Sequence, residues 1–333
     1  MIGERGGPTR RPCRRRPLPW SGDHDRPRRL MLVHAHPDDE SSGTGATMAR
    51  YAADGAAVTL VTCTLGELGE VVVPELEHLR HDHDDALGPH RLQELTAAMV
   101  ALGVTDFVRL GGDGRWRDSG MATDEQGNVI PADNLHDDCF WRADLLTAAD
   151  ELVSLIRDRR PQVLITYDEV GLYGHPDHVQ AHRVATYASQ LAAVPSYRPD
   201  LGEPWQLQRV LWMALAESAM RAMIEGARMA RAAAPPDAGA EDDFFGDFDL
   251  NSGERPPMST PDADIDVRID GHPYAAQRFA ALRAHATQIR PDEFFFLLEA
   301  QPAGPLWHDS YRLAAGTPFE EGADDLFGGL DLV

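Results

Sequence analysis

The feature that most constrains this chain is an alternation of short apolar runs with helix-period segments. Arg29-Leu-Met-Leu-Val-His34 reads as a buried strand, and residues 44–53 read as a helix closed by Asp54-Gly55. A second strand follows over residues 57–62. Residues 91–102 form the next predicted helix, with Leu92, Leu95, Ala98, Met99 and Leu102 on one side and Gly103 to stop it. A third strand covers 106–110, a helix 145–159, a fourth strand 161–167, a helix 178–193 and a further strand 210–214. Strand–helix alternation of this kind predicts an α/β fold, Rossmann-like, with a mostly parallel sheet flanked by helices. In such sheets ligands bind beyond the carboxyl ends of the strands.

The pattern weakens after residue 225. Residues 226–262, rich in Ala, Pro, Gly and Asp, read as a flexible acidic insert carrying Phe244, Phe245 and Phe248. Residues 263–300 read as a smaller C-terminal α+β portion, a strand over 265–269 and a helix over 274–288, packing on the α/β domain of 29–225. Residues 301–333 read as a loose acidic tail. At the other end, residues 1–28 concentrate arginine among Pro and Gly without apolar periodicity, which predicts a disordered basic arm.

With 333 residues and 43% apolar content the chain can bury a substantial core. Its formal net charge of −23 repels phosphate backbones and makes nucleic acid a poor partner. No window has the uncharged apolar length of a membrane helix. Three widely spaced cysteines, Cys13, Cys63 and Cys139, make no disulfide framework and suit a reducing cytoplasm. The oligomeric state is unknown from sequence.

Two polar clusters follow predicted strand ends. His34-Ala-His36-Pro-Asp38-Asp39-Glu40 gathers imidazoles and carboxylates in a turn stiffened by Pro37. His36 and Asp39 are three apart and can converge, which leaves Asp38 for another role. Tyr173-Gly-His175-Pro-Asp177-His178 repeats the chemistry after the fourth strand. Two His and one carboxylate drawn from these clusters make a three-ligand metal site with open positions, suited to zinc with a bound water or to the facial triad of ferrous iron. A glycine-containing loop, Thr62-Cys-Thr-Leu-Gly66-Glu67-Leu-Gly69-Glu70, follows the second strand, where Glu70 is placed to bond hydroxyls. Arg115, Trp116, Arg117 and Asp118, after the third strand, make a candidate sugar-binding rim. His81-Asp-His-Asp-Asp85 reads as a solvated face and Cys63 as a small buried residue.

The Ala35-to-Glu40 and His175-to-His178 motifs together resemble the LmbE-like (PIG-L) zinc N-deacetylase family, over roughly residues 29 to 290. The resemblance is strongest to its branch acting on N-acetylglucosaminyl-inositol in mycothiol biosynthesis, on the runs Val61-Thr-Cys-Thr-Leu-Gly-Glu67, Gly114-Arg-Trp-Arg-Asp-Ser-Gly-Met121 and Ala284-His-Ala-Thr-Gln288. It implies one Zn2+ per subunit (Fe2+ being the alternative), held by His36, Asp39 and His178. It also implies Asp38 as general base, His175 as general acid or oxyanion partner, Tyr173 as oxyanion support and Asp177 as the carboxylate tuning His175. Arg91, Asp118 and Glu70 become substrate-binding positions, and the partner is a small amino-sugar inositol. Two other readings compete. A mycothiol S-conjugate amidase has the same metal chemistry but characteristically carries a Lys shortly after the acidic cluster, where this chain has Ser41-Ser-Gly-Thr44 and no Lys anywhere. A non-catalytic metal-containing sugar-binding protein would have no need of Asp38 as a spare carboxylate.

Overall fold

The structure is a computed structural model that describes residues 28–233, 248–291, 294–299 and 308–332. The expected basic arm, apart from Arg28, lies outside the described residues, as does the 234–247 part of the acidic insert with Phe244 and Phe245.

The chain starts with β1 (Arg29–His34), the short helix α1 (Asp39–Gly43), α2 (Gly45–Ala53) and β2 (Ala57–Thr62). After a loop come α3 (Leu87–Leu102) and β3 (Asp106–Arg109). A small antiparallel hairpin of β4 (Met121–Thr123) and β5 (Val129–Pro131) precedes α4 (Leu145–Arg159) and β6 (Val163–Thr166). Then follow α5 (Gly171–Gly174), α6 (Pro176–Leu191), β7 (Arg209–Ala214), α7 (Glu217–Ala233), β8 (Val267–Asp270), α8 (Ala275–Ala284), α9 (Phe294–Glu299) and β9 (His308–Gly316).

The main sheet has the order β3-β2-β1-β6-β7-β9-β8. Its first five strands are parallel, and β9 is antiparallel to both neighbours. Every residue of β1, β2 and β6 is buried, as expected of parallel strands covered on both faces. The covering helices pack as two groups, α2 and α3 with α8, and α4 with α6. The chain leaves β1 toward β2 and β3 on one side and returns to β6 on the other. The carboxyl ends of β1 and β6 therefore flank the topological switch point, where ligands bind in open α/β sheets. Both polar clusters sit there.

The α/β elements match the sequence reading closely, with shifts at helix starts. α3 begins a turn early because Leu87 is buried. α6 begins at Pro176, whose missing N–H costs nothing at the first helical position, and His175 caps it by accepting the Asp177 N–H. Two expectations change. α7 runs to Ala233, well into the expected flexible insert, because residues 226–233 are mostly good helix formers. Of the expected loose tail, the described residues 308–332 are instead packed: β9 inserts between β7 and β8, Tyr311, Leu326 and Phe327 are buried, and the buried Arg209 guanidinium donates to the carbonyls of Thr317, Pro318, Leu326 and Gly328. Its acidic composition hid this, because Asp309 is buried and neutralised by Arg278 at 3.1 Å. No helix among the described residues is long and apolar enough to cross a membrane.

Candidate metal centre and active site

The turn after β1 delivers His36, Asp38 and Asp39. Tyr167, just past β6, fixes it. The Tyr167 hydroxyl accepts the Ala35 N–H at 2.9 Å and donates to Asp39 Oδ2 at 2.7 Å. Asp39 Oδ2 also accepts the His36 N–H at 2.9 Å. Its other oxygen, Oδ1, lies 3.4 Å from His178 Nε2, while His36 Nδ1 lies 3.4 Å from Oδ2. Burial works against the Asp39 charge, but His178 and His36 hold its carboxyl well below the usual range. The His178 ring stacks on Tyr167 with centroids 4.2 Å apart, and its Nδ1 meets the Gly171 carbonyl at 3.3 Å.

His36 is also approached by Asp177 Oδ2 at 3.3 Å and Asp118 Oδ1 at 3.7 Å. Burial opposes its protonation, yet these carboxylates and Asp39 hold its pKa well above that of a free imidazole. Three buried or nearly buried carboxylates around one imidazole make a pocket prepared for positive charge. His178 Nε2, buried and without a hydrogen-bond partner, points the same way. The donor set fits a divalent cation, since imidazole nitrogens and carboxylate oxygens are its usual ligands.

Two overlapping groups have donor atoms within 4.8 Å of one another: His36, His175 and His178, and His36, Asp118 and Asp177. Asp39 lies outside both but is the carboxylate that reaches both His36 and His178. His175 is committed differently, because its Nδ1 accepts the Asp177 N–H at 3.1 Å. That bond leaves the ring proton on Nε2. Burial and the neighbouring His36 and His178 push its pKa down to about 2, so the ring stays neutral. A third group, Asp270, His272 and His308, is exposed, and there His272 Nδ1 already contacts Asp270 Oδ1 at 2.6 Å.

Asp38 has φ 116°, a left-handed-side conformation that is strained for a non-glycine residue. Its N–H donates to Glu40 Oε2 at 2.8 Å, and its carbonyl accepts the N–H groups of Ser41 and Ser42, both at 3.0 Å. Arg91, buried on α3, donates to Asp38 Oδ2 at 2.9 Å, to the Gly66 carbonyl at 2.8 Å and to the Pro37 carbonyl. Burial raises the Asp38 carboxyl to about 6 against the pull of Arg91.

The other expected residues are placed unevenly. Tyr173 is half-exposed, its ring 4.9 Å from that of His178, and burial with nearby carboxylates keeps its phenol protonated. Asp118 is buried in the cluster and accepts the N–H groups of Gly120 and Leu68. The carboxylate of Asp177, expected to tune His175, instead meets His36 and Ser119, and only its backbone N–H reaches His175. Arg91, expected at the substrate, donates through its two terminal nitrogens to protein oxygens, while its buried Nε has no partner among the described residues. Glu70 is exposed, one residue from Gly69, which packs close to Arg91 and Gln288. Of the expected sugar-binding rim only Asp118 joins the cluster: Trp116 is buried and donates to Glu151, Arg115 pairs with Glu151, and Arg117 pairs with Asp85. His81 to Asp85 are exposed, as a solvated face should be.

Sequence reasoning missed Tyr167, Ser119 and Glu67, the last buried and accepting the Asp118 N–H at 3.0 Å. Each stands in or beside a strand-end loop, and that position is the signal that points to them.

The family model described as GlcNAc-PI de-N-acetylase (PIG-L) matches residues 31–189. A protein of Nocardioides sp. named 1D-myo-inositol 2-acetamido-2-deoxy-alpha-D-glucopyranoside deacetylase is 53% identical over 91% of this chain and 98% of its own length. One of the same name from Kribbella flavida is 54% identical over the same shares. Among solved structures, the N,N'-diacetylchitobiose deacetylase of Pyrococcus horikoshii aligns with a TM-score of 0.54 at 14% identity, covering 86% of this chain and 83% of that one. A 4-carboxy-2-hydroxymuconate hydratase of Pseudomonas putida aligns with a TM-score of 0.55 at 15% identity, covering 89% and 100%. These two likenesses show the fold alone, and the fold carries more than one chemistry.

Proposed function

The chain belongs to the PIG-L family of N-deacetylases, and from that premise we propose that it hydrolyses the acetamide of N-acetylglucosaminyl-inositol. The products are glucosaminyl-inositol and acetate, in a step of mycothiol biosynthesis. The observation that carries the reading is the pairing, at the switch point, of a cation-ready His/Asp cluster with a separate carboxylate, Asp38, whose pKa is raised to about 6.

His36, Asp39 and His178 would hold the cation, zinc by donor chemistry and ferrous iron by the same set. When bound, such an ion supplies a water acidified to a pKa of about 7 and polarises the acetyl carbonyl. Asp38 takes the proton from the attacking water, a task suited to a base that titrates near neutrality. Arg91 holds one Asp38 oxygen, which leaves the other for the water. His175 is proposed as the oxyanion partner: with its proton on Nε2 it donates a neutral hydrogen bond, and Tyr173 adds its phenol O–H. A ring so reluctant to take a second proton is a poor store of acid, so Asp38 returns its proton to the leaving amine. Asp118 and Glu70 are proposed to bind substrate hydroxyls. Asp177 is proposed to orient His36, with Ser119 holding it in place.

The test is amine release by metal-loaded protein offered N-acetylglucosaminyl-inositol and a mycothiol S-conjugate in parallel. Preference for the first supports this reading. Preference for the conjugate moves the chain to amidase chemistry with the same centre, and no release from either overturns the enzymatic reading.

A further inference from the structure

The strained backbone at Asp38 requires a restraint, because a non-glycine residue holds such a φ only where its surroundings over-determine it. One restraint is Glu40, whose Oε2 accepts the Asp38 N–H at 2.8 Å. Glu40 is fully buried, and Ser41 Oγ donates to its Oε1 at 2.6 Å. A buried carboxylate needs a further partner, and it comes from far along the chain. His285, just past the end of α8 and also fully buried, places Nε2 at 2.8 Å from Glu40 Oε1. His285 lies in the Ala284-His-Ala-Thr-Gln288 run, whose chemistry the mechanism above does not use.

The segment around His285 is anchored on its own account. Thr287 donates through its N–H and Oγ1 to the two oxygens of Glu94 on α3, at 2.8 and 2.7 Å. The Thr287 carbonyl accepts the Val72 N–H at 2.9 Å. Upstream on α8, Arg278 donates to Asp309 and to the Ser42 carbonyl beside the catalytic turn. His285 is thus presented to Glu40 from a fixed platform, and the hydrogen-bond path runs from His285 through Glu40 to the backbone of Asp38.

We propose that His285 is a positioning residue for the catalytic base: through Glu40 it holds the Asp38 backbone in the conformation that presents its carboxylate to the attacking water. This deepens the deacetylase reading and rests on it. His285 touches no reacting atom. Its removal frees Glu40 to turn away, Asp38 relaxes, and proton transfer suffers while the metal ligands and substrate contacts stay in place.

The experiment measures kcat, KM and metal content of the metal-loaded full chain on N-acetylglucosaminyl-inositol for His285→Ala, Glu40→Leu and His285→Gln, with Thr96→Ala, exposed on α3, for comparison. His285→Ala and Glu40→Leu should each lower kcat at least tenfold with KM within about twofold and one metal per chain. His285→Gln, which keeps an N–H donor toward Glu40, should recover most of the loss, and Thr96→Ala should keep kcat within about threefold. In an Asp38→Ala background, His285→Ala should change the residual turnover less than twofold, because the path it serves is already cut. Wild-type kcat in a folded His285→Ala or Glu40→Leu protein overturns the inference, and Glu40→Leu alone decides if the His285→Ala protein does not fold. An equal loss from His285→Ala with and without Asp38 also overturns it, since that marks a general structural role. Failure of the wild-type protein to release acetate is a different result, and it brings down the deacetylase reading beneath.

Discussion

The strand ends of β1 and β6 and the C-terminal elements β9, β8 and α8 contribute to one centre in opposite ways. The first region carries its chemistry in short contiguous runs, with His36, Asp38 and Asp39 in one turn and Tyr173, His175 and His178 in another. The second contributes one recognisable run, Ala284 to Gln288, and works through single residues reaching a long way. Arg278 reaches Ser42, Asp309 reaches Thr47, and His285 reaches Glu40. The difference teaches that reacting groups can be grouped locally, because one turn can aim several side chains. The support for a strained turn has to come from elements packed behind it.

The comparison is broken most severely if the second region is dispensable. Ending the chain at residue 307 removes β9 from between β7 and β8, and the account predicts loss of folded protein, read by circular dichroism and solubility. A folded, active truncated chain would restore the loose-tail expectation. Next, Asp38→Ala should lower kcat by about a thousandfold, the scale of general-base catalysis, with the fold intact by thermal melting. Arg209→Ala sharpens the contrast from the other side: it strips four carbonyls of a buried donor and should destabilise by about 3 kcal/mol in denaturant titration, with kcat of the folded fraction little changed. The smallest effect is in the pH profile. Asp38, the proposed base, works only when deprotonated, and its carboxyl is raised to about 6, so kcat should be flat above that value and fall toward tenfold per unit below it. A kcat level down to pH 4 would exclude Asp38 as the titrating base.

The first region was legible for physical reasons. Its strands are buried on both faces and read as continuous apolar runs, and their ends must lie where the sheet opens. The reading failed where composition stood in for pairing. Residues 308–316 were read together with the acids that follow them, Glu320, Glu321, Asp324, Asp325 and Asp331, and the counter-charge of Asp309 lies on α8, out of reach of any local window. Arg91 and Asp177 were seen as site residues, but a motif gives a residue's neighbourhood and not the atom it touches. Arg91 meets Asp38, and the Asp177 carboxylate meets His36. Glu67 was passed over for Glu70 three positions on in the same loop, because only the folded loop shows which carboxylate turns inward.

The proposed division of labour gives Asp39 the metal and Asp38 the proton. It is tested most directly by metal content per chain, measured in Asp38→Ala and Asp39→Ala proteins after equal loading with zinc. One equivalent should be retained in the Asp38 variant and most of it lost in the Asp39 variant, with turnover in both lowered about a thousandfold or more. Full metal in the Asp39 variant, or its loss from the Asp38 variant, would contradict it.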